Sequence, residues 1–488
     1  MSSASPPSAS PRPSSQPGAD VAGETAPRGA RAAAQRRTGR RPASQRPATT
    51  RPVTYADAVV VGAGPGGSAA ARFLAQAGRD VILVEKEAFP REKVCGDALT
   101  PRAVRALRML GLHDEAEGRV AGWARQSSLR MYGGGVVLDL PWPELPEFPS
   151  HSVTATRALF DETLARHAVK GGAELWEETE VVAPLFATAS QRRIAGVRYR
   201  RRDGREGDIR APIVVIADGG SSRLAVQLGL HRDERRPMGV AVRAYYRSPR
   251  SSMDAMEGFL EIYRQPDGAG DAPRTWRPGE PTRRDLELLP AYGWVFPLAD
   301  GLVNVGWGMI SSSPHFRDIS YRRTLDAWVA GFPPEWGISA ETRVGRPRSA
   351  GLPMAHNRHP HVHRGALLVG DAGGMVNPFN GEGISYAIEA AAFAAEAADE
   401  ALRARSDRPL QSYPQRLGRA WGGYYTLGRV FVALMGHPSV MRFCTVYGMP
   451  RRRLMDFVFR TMAHLVDARS ADATDVLLNT LSRAVPAA

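Results

Sequence analysis

Residues 57–67 read DAVVVGAGPGG, a short β-branched run that ends on glycine and passes directly into a Gly-rich turn. The apolar run predicts a buried parallel strand, and the Ala-rich stretch 65–77 predicts a helix that ends at Gly78. A second apolar run at 81–84 predicts another buried strand. Strand, helix and strand in such a short stretch make one βαβ unit. We therefore expect an α/β protein built on a Rossmann-like domain.

The turn between strand and helix has the spacing Gly-x-Gly-x-x-Gly. Glycines at these positions allow a tight turn and let the backbone approach a pyrophosphate, whose charge the helix N-terminus stabilises. Glu85 ends the second strand, where a carboxylate can accept hydrogen bonds from ribose hydroxyls. We expect dinucleotide binding, since a purely structural turn leaves Glu85 unexplained. The expected contacts are Gly62, Ala63, Gly64, Pro65, Gly66, Gly67, Glu85 and Lys86.

Two later strands end in a similar way. Residues 213–217 lead into Asp218-Gly219, and residues 366–369 lead into Gly370-Asp371 and then a Gly-rich helix start. A carboxylate at such a strand end can bind flavin ribityl hydroxyls, and the helix start can hold the electron-rich edge of the flavin ring. Three strand-end sites in this order predict FAD as the nucleotide. The further expected contacts are Asp218, Gly219, Gly370, Asp371, Gly381, Glu382, Gly383 and Ile384.

With these motifs, residues 55–400 resemble the flavoprotein monooxygenase superfamily, the FAD enzymes related to p-hydroxybenzoate hydroxylase. The stretch TRALFDETL at 156–164 matches the superfamily's Arg-x-x-Phe-Asp-x-x-Leu helix, and the resemblance implies that Arg157 lies near the FAD. The superfamily usually has another Arg three residues after the Ser of its Asp-Gly motif. Here that position is Ala225, and Arg223 stands next to the Ser instead, so that role is not carried over.

Two further segments resemble the geranylgeranyl reductase branch. Residues 93–101 (KVCGDALTP) are similar to its Cys-Gly segment, and residues 292–297 (YGWVFP) with GWG at 306–308 are similar to its substrate-cavity motif. Alternating aromatic residues on a strand line one wall of an apolar pocket, although a half-buried core strand has the same pattern. Segments 95–104 and 377–384 look closest to menaquinone reductases, which saturate an isoprene unit of the quinone side chain. The branch implies contacts from Cys95, Gly96, Tyr292, Trp294, Phe296, Pro297, Gly306 and Gly308.

The resemblance implies hydride transfer from reduced FAD to an isoprenoid double bond. Cys95, or a water beside it, is then the expected proton donor, although a thiol is a modest acid (reference pKa ~8.5) and Cys95 could instead only shape the cavity. The electron donor stays open between a pyridine nucleotide and a small redox protein. Three other functions also stay open: reduction of geranylgeranyl groups on glycerolipids or pigments, aromatic monooxygenation or halogenation, and a non-catalytic electron-transfer subunit.

A basic leader is expected before the folded regions. Residues 1–54 carry nine Arg against Asp20 and Glu24, half of the net charge of +14, and lack the apolar residues for a core. We predict a disordered leader, with a transit peptide as the alternative, and a mobile loop at 264–285. The expected domains are the FAD-binding domain at 55–235 with a small insertion at about 119–150, an antiparallel substrate domain at 236–345, the second part of the FAD-binding domain at 346–400 and a helical region at 401–488.

Cysteine and charge patterns exclude several classes. Cys95 and Cys444 are the only cysteines, so a disulfide framework is excluded, metal-ligand spacing is absent and a cytoplasmic setting is expected. No nucleic-acid module is visible. No apolar run approaches the ~18 residues of a membrane span. Residues 428–446 and 453–465 interleave apolar residues with Arg, which predicts either packing on their own domain or peripheral contact with the inner face of the cell membrane.

Overall fold

The computed structural model describes residues 51–188, 193–264, 286–466 and 473–486. The predictions for residues 1–50 and 265–285 lie outside these ranges. The strands are β1 (Val53–Tyr55), β2 (Ala58–Val61), β3 (Val81–Val84), β4 (Ala98–Leu99), β5 (Trp123–Gln126), β6 (Ser128–Gly133), β7 (Val136–Pro141), β8 (Ser152–Ala155), β9 (Glu174–Trp176), β10 (Thr179–Phe186), β11 (Ile194–Arg201), β12 (Glu206–Arg210), β13 (Ile213–Ile216), β14 (Met238–Arg247), β15 (Ala255–Phe259), β16 (Ile262–Arg264), β17 (Glu287–Leu289), β18 (Ala291–Pro297), β19 (Leu302–Ile310), β20 (Arg343–Pro353), β21 (Val362–His363) and β22 (Ala366–Leu368). The α-helices are α1 (Pro65–Gln76), α2 (Pro101–Leu110), α3 (His113–Ala116), α4 (Arg157–Lys170), α5 (Arg223–Gln227), α6 (Tyr321–Ala330), α7 (Ile384–Ala404), α8 (Ser412–Leu417), α9 (Gly423–Met435), α10 (Pro438–Phe443), α11 (Arg452–Met462) and α12 (Ala473–Ala484).

The predicted βαβ unit lies at the centre of a six-stranded sheet. Its strand order is β21-β22-β13-β2-β3-β9, and every neighbouring pair except β21 with β22 is parallel. β2 pairs with β3 from Ala58 opposite Val81, and α1 connects the two strands. Because β2, β13 and β22 are parallel, their carboxyl ends lie along one edge of the sheet, where the three predicted strand-end motifs follow.

Both faces of this sheet are buried, one by helices and the other by a second sheet. On β2, Ala58 and Val60 pack in one core cluster with residues of α1, α4 and α7. Val59 and Val61 face the other way and pack with residues of β11 and β12. Those two strands belong to a second sheet of order β1-β12-β11-β10. Burial on both sides explains why β2 is apolar at every position instead of alternating.

A seven-stranded sheet contains the strands of the predicted substrate domain, in the order β20-β14-β19-β18-β15-β6-β7. Its strand pairs are antiparallel, as predicted, except that β15 pairs with β6 in parallel. The region predicted as a small insertion at about 119–150 therefore supplies β6 and β7 to this sheet. Two predicted boundaries also fall inside strands, because residue 345 lies within β20 and residue 54 lies within β1.

The C-terminal region is helical, as predicted, and buried hydroxyls fix it to β22 and to the segment that follows this strand. Tyr413 on α8 donates a hydrogen bond to the Leu368 carbonyl at 2.7 Å, and Tyr425 on α9 donates to the Met375 carbonyl at 2.7 Å. In the described ranges no single helix is long and apolar enough to span a membrane. One pair, Arg408–Met435 with Pro438–Gly448, meets those criteria only when its two parts, bent by 95°, are taken together.

Candidate active site

The Gly-rich turn after β2 has a geometry that only glycine can adopt. Gly62 has φ +95°, and a Cβ at Gly67 would lie 1.8 Å from the Gly62 carbonyl oxygen. The turn leads into α1, whose N-terminus has no side-chain cap and no acidic residue in its first turn. The first backbone N–H groups of a helix have no partners within it, so this end of α1 is suited to an anion.

A chain of buried charges ties the turn to α4. Glu85 accepts a hydrogen bond from the Ala63 N–H at 2.9 Å, and Arg91 donates to the same carboxylate oxygen at 3.3 Å. Arg91 also contacts Asp161 at 2.7 Å, and Arg157 holds Asp161 through two bonds of 2.7 and 2.8 Å. The predicted helix motif therefore fixes Arg157 through a fully buried carboxylate.

One pocket at the strand ends brings most of the predicted residues together. It is enclosed by the first turn of α1, the segment 93–96, the ends of β13 and β22, the start of α7 and the face of β18. Like α1, α7 begins here without a side-chain cap or an acidic residue in its first turn. The predicted residues that line the pocket are Gly64, Pro65, Gly66, Cys95, Gly96, Arg157, Gly219, Tyr292, Trp294, Phe296, Gly370, Asp371, Gly381, Gly383 and Ile384.

Several predicted contacts lie outside the lining of this pocket. Lys86 is exposed, and Asp218 turns back to accept a hydrogen bond from the Leu224 N–H at 3.4 Å. Glu382 lines the neighbouring apolar cavity instead. Gly62, Ala63, Gly67 and Glu85 support the turn from behind. Lys93 and Arg243, which the sequence analysis did not single out, line the pocket.

The donor set suits a dinucleotide that carries an electron-rich ring. Two long helices direct uncapped N-termini at the pocket, one at each of two predicted motifs. Lys93 and Arg157 add positive charge, and the rings of β18 supply a flat apolar wall. A pyrophosphate at α1 and a flavin ring edge at α7 would each meet partial positive charge, so the residues present fit FAD.

Two aromatic side chains of β18 lie opposite glycines of the neighbouring strand, which leave room for their rings. The rings of Tyr292 and Trp294 lie 5.7 Å apart, and those of Trp294 and Phe296 lie 6.1 Å apart. Tyr292 lies opposite Gly308 and Trp294 opposite Gly306 in the register with β19. A Cβ at Gly306 would lie 2.3 Å from the Trp294 ring, so a side chain there would displace it. Pro297 lies outside both cavities, and its carbonyl accepts a hydrogen bond from Thr154 at 2.6 Å.

An apolar cavity of about 750 Å³ adjoins the flavin pocket, within the range of ordinary ligand sites. Cys95, Tyr292, Trp294 and Phe296 line both spaces, so the two meet at the Cys-Gly segment and the aromatic row. From there the cavity extends past β6, β7 and β15 to α9, α10 and α11. Gly308 lines it as predicted, whereas the contributions of β6, β7 and the C-terminal helices were not predicted.

A buried network that sequence reasoning missed holds the Cys95 segment. Asn304 donates to the Cys95 carbonyl and to Asp97, both at 2.8 Å, and accepts from the Trp294 indole at 2.9 Å. Tyr245 donates to Asp97 at 2.6 Å. Burial raises the pKa of Asp97 to about 6, despite the hydrogen bond from Tyr245. A polar residue in the apolar run 302–310 was the available signal, but no pattern links it to Cys95.

The Cys95 thiol lies at the junction of the two spaces. Burial raises the pKa of this thiol, and the Arg157 guanidinium opposes the rise only in part. The group is therefore a neutral thiol at physiological pH, and a weaker acid than an exposed cysteine. Cys444, the other cysteine, lies at the far end of the cavity among the C-terminal helices.

Comparison with known proteins decides the cofactor. Residues 55–422 match the family model described as an FAD binding domain. The chain belongs to this family. Its cofactor is FAD, and the protein is an FAD-dependent oxidoreductase.

Named relatives cover most of the chain. Menaquinone reductases of Mycolicibacterium smegmatis and Mycobacterium tuberculosis are 34% and 35% identical, over 86% and 84% of this chain and 94% and 91% of their own lengths. Digeranylgeranylglycerophospholipid reductase 1 of Methanopyrus kandleri is 31% identical over 75% of this chain and 85% of its own. The predicted relationship to the geranylgeranyl reductases is confirmed.

Solved structures share the fold. A geranylgeranyl bacteriochlorophyll reductase-like protein of Thermoplasma acidophilum superposes with a TM-score of 0.66 at 21% identity, covering 88% of this chain and all of the other. The flavin-dependent brominase Bmp2 gives 0.63 at 20% identity, covering 88% of this chain and 99% of its own. At such identities the likeness concerns the fold alone, which reductases and halogenases both use.

Proposed function

We propose that this protein saturates isoprenoid C=C bonds of a prenylated lipid, and that the side chain of menaquinone is its substrate. The observation that carries the proposal is the junction at Cys95 and the aromatic row, where the apolar cavity meets the flavin pocket. A substrate in that cavity would bring a chain carbon next to the cofactor. The names of the relatives from Mycolicibacterium and Mycobacterium support the choice of menaquinone.

Burial of the chain itself supplies the affinity for such a substrate. One five-carbon unit that leaves water gains roughly 4 kcal/mol, at ~0.8 kcal/mol for each methylene. The cavity therefore needs few polar contacts, and its walls are mostly aliphatic, aromatic and methionine side chains. The rings of Tyr292, Trp294 and Phe296 exclude water from the junction and hold the chain against it. Bound FAD, once reduced, supplies the hydride equivalent.

The decisive experiment is anaerobic turnover. Enzyme whose flavin has been reduced by dithionite is mixed with a menaquinone that has a short unsaturated side chain, and the product is analysed by mass spectrometry. We expect reoxidation of the flavin together with a gain of two hydrogens in the side chain. Reaction only after oxygen is admitted would favour a monooxygenase or halogenase. Reduction of a digeranylgeranyl glycerolipid but not of menaquinone would show that the substrate is a glycerolipid and not the quinone.

We also propose the route of the electrons. The flavin is reduced either by a pyridine nucleotide that docks transiently or by a small electron-transfer protein, and neither needs a second nucleotide-binding domain. Anaerobic mixing with NADH, with NADPH and with reduced ferredoxin distinguishes these donors, since only a true donor bleaches the flavin absorbance at a rate that supports turnover.

We propose further that the protein works in the cytoplasm, at the inner face of the cell membrane, through the mouth of the apolar cavity. Phe443, Tyr447 and Leu454 line the cavity and are also exposed, by 65%, 55% and 43%. The exposed arginines 451–453 lie beside them. Apolar side chains surrounded by Arg are suited to the interface of an anionic bilayer, from which a lipid tail could enter the cavity directly.

Vesicle sedimentation tests the membrane proposal. The double variant Phe443→Ser/Leu454→Ser should bind vesicles of phosphatidylglycerol at least ~100-fold more weakly, because each buried side chain contributes about 1.5 kcal/mol or more and the two together about 3 kcal/mol. Val169→Ser/Val226→Ser removes exposed apolar groups from helices of the FAD-binding domain and should leave binding unchanged. Equal binding by both double variants would remove α10 and α11 as the contact surface.

A further inference from the structure

One acidic residue lines the apolar cavity. Gly381 and Gly383 line the flavin pocket, whereas Glu382 between them lines only the cavity, and among the described residues it is the one acidic side chain that does so. The residue is half-buried, and Thr100, which contacts its carboxyl group, also lines the cavity. A carboxylic acid on an apolar wall has no role in binding a hydrocarbon, so its presence there calls for a chemical explanation.

Hydrogen bonds fix the position of this carboxyl group. Thr100 donates its hydroxyl to both oxygens of Glu382, at 2.9 and 3.0 Å. The backbone is held equally firmly, since the Glu382 N–H donates to Asn380 at 2.9 Å and its carbonyl accepts from the Asn377 N–H at 2.8 Å. The group is thus preorganised at the cavity wall before any substrate arrives.

Burial, rather than a neighbouring charge, favours the protonated form of Glu382. Arg102 and Arg105, the nearest arginines on α2, are both taken by Glu389 on α7, at 2.6 and 3.1 Å. In the described ranges Glu382 forms no ion pair of its own. Burial raises the pKa of Glu382, and the hydroxyls of Ser385 and Thr100 and the charge of Arg102 oppose the rise only in part.

We propose that Glu382 is the acid that protonates the substrate alkene during reduction. The proton leaves the carboxyl oxygen and forms a C–H bond with the electron pair of the C=C bond. Bound FAD, once reduced, would supply the hydride equivalent to the other carbon, and water would return a proton to the carboxylate. The alkene thus gains one hydride and one proton. This inference rests on the proposed function, because it needs an alkene in the cavity.

Cys95 is the competing acid, and its chemistry is less favourable. Its pKa starts higher than that of a carboxyl group, and burial raises it further. A neutral carboxylic acid is by several orders of magnitude the stronger acid, and an isolated alkene is a very weak base. General acids contribute typically about 10²- to 10⁴-fold to a rate, which sets the size of the effect to be measured.

The proposal predicts that the rate falls as pH rises through the pKa of Glu382, since only the protonated acid can react. The arginine and the tyrosines that face Glu382 do not produce the same profile at neutral pH. Arg102 stays charged, and burial raises the pKa values of the three tyrosines, which stay neutral. The facing groups are Thr100 and Arg102 on the α2 side, Ser385, Tyr386 and Glu389 on α7, and Tyr424 and Tyr425 on α9.

The test compares Glu382→Gln with wild type in two measurements. Infrared difference spectroscopy of the enzyme with bound FAD and no substrate should show the carbonyl band of a protonated carboxylic acid, which Glu382→Gln lacks. Anaerobic single turnover with the short-chain menaquinone should be slower by at least ~100-fold in Glu382→Gln, with FAD affinity and quinone affinity retained. Glu382→Asp, which keeps the acid, should recover part of the rate.

The control experiments distinguish failure of the acid role of Glu382 from failure of the proposed function. Glu396→Gln makes the same exchange on an exposed position of α7 and should react like wild type. Turnover of Glu382→Gln at the wild-type rate would exclude Glu382 as the proton donor. A ~100-fold loss in Cys95→Ser with none in Glu382→Gln would identify Cys95 as the donor instead. A wild-type spectrum without the acid band at neutral pH would also overturn the proposal. Failure of wild type to reduce the quinone or any other prenyl lipid would instead overturn the proposed function, and the acid role with it.

Discussion

The flavin pocket and the apolar cavity share a wall but are built in different ways. The pocket takes its residues from strand ends and helix starts, where short motifs set the backbone, as at Gly62 and Gly67. The cavity takes its walls from β6, β7, β15 and β18 and from three C-terminal helices. A pyrophosphate can be held by a few directed N–H groups, whereas a prenyl chain is held by area, to which many side chains contribute.

This difference predicts unequal tolerance to substitution. In the pocket, a single Cβ or an unpaired charge should remove the cofactor or unfold the domain, because the contacts are directional and the carboxylates are buried. In the cavity, one apolar side chain among many should change affinity by a modest factor. Residues that contact both the pocket and the cavity test this difference most directly, and the network around Asn304 is the main example.

The largest expected effect is at the Gly-rich turn. Gly67→Ala would bring a Cβ to 1.8 Å from the Gly62 carbonyl, a backbone contact that cannot move aside. We expect FAD affinity to fall by at least ~100-fold, since overpacking of this kind costs ~3 kcal/mol or more. Flavin absorbance per mole of purified protein, followed by titration with FAD, measures it. Gly418→Ala, where a Cβ meets nothing within 4 Å, is the control. Full flavin content in Gly67→Ala would contradict a turn restricted to glycine.

The second effect concerns the buried charges behind the pocket. Asp161→Ala leaves Arg157 and Arg91 without their shared carboxylate, so we expect the free energy of unfolding in urea to fall by about 3–5 kcal/mol. Asp139→Ala removes the exposed partner of Arg130 and should cost less than ~1 kcal/mol. Similar losses in the two variants would show that the ion pairs behind the pocket contribute no more than those at the surface.

The sequence was most informative where structure is local. The turn at 62–67, the carboxylate at Glu85 and the Asp-Gly and Gly-Asp ends of two further strands predicted the parallel sheet, the pocket and FAD. Each of these motifs sets its own backbone within a few residues, so its effect does not depend on distant packing. Asp218 shows the limit, because its motif is present but its side chain turns to α5.

The sequence was least informative where the walls meet. No pattern relates Asn304 to Cys95, which lies 209 positions away, because their hydrogen bond exists only once two domains have packed. The parallel pairing of β6 with β15 brings residues 128–141 into the substrate sheet for the same reason. The orientation of Glu382 likewise depends on Thr100, a residue of a different motif.

The third effect is at the residue that links both regions. Asn304→Ala leaves the Trp294 indole N–H and the Cys95 carbonyl without their partner, so we expect a loss of about 1–3 kcal/mol in the free energy of unfolding. Turnover should fall further than FAD content, because the aromatic row and the Cys-Gly segment lose their alignment while the Gly-rich turn is untouched. Gln227→Ala, which removes an exposed amide from α5, should change neither quantity. If FAD content and turnover fell by the same factor, Asn304 would support the flavin pocket only and not the alignment of the aromatic row.

The smallest expected effect is a pH dependence, and its sign tests the burial of the junction. Because the folded state raises the pKa of Asp97 to about 6, it holds this proton more tightly than the unfolded chain between pH ~4 and ~6. The contribution of Asp97 to stability is therefore lost as pH rises through this window, and Asp97→Asn should remove the dependence. Burial lowers the pKa of His361 to about 4, which acts in the opposite direction, but both proteins contain this residue. The difference between their unfolding free energies at each pH isolates Asp97, and a difference that does not vary between pH 4 and 6 would mean that water reaches the junction.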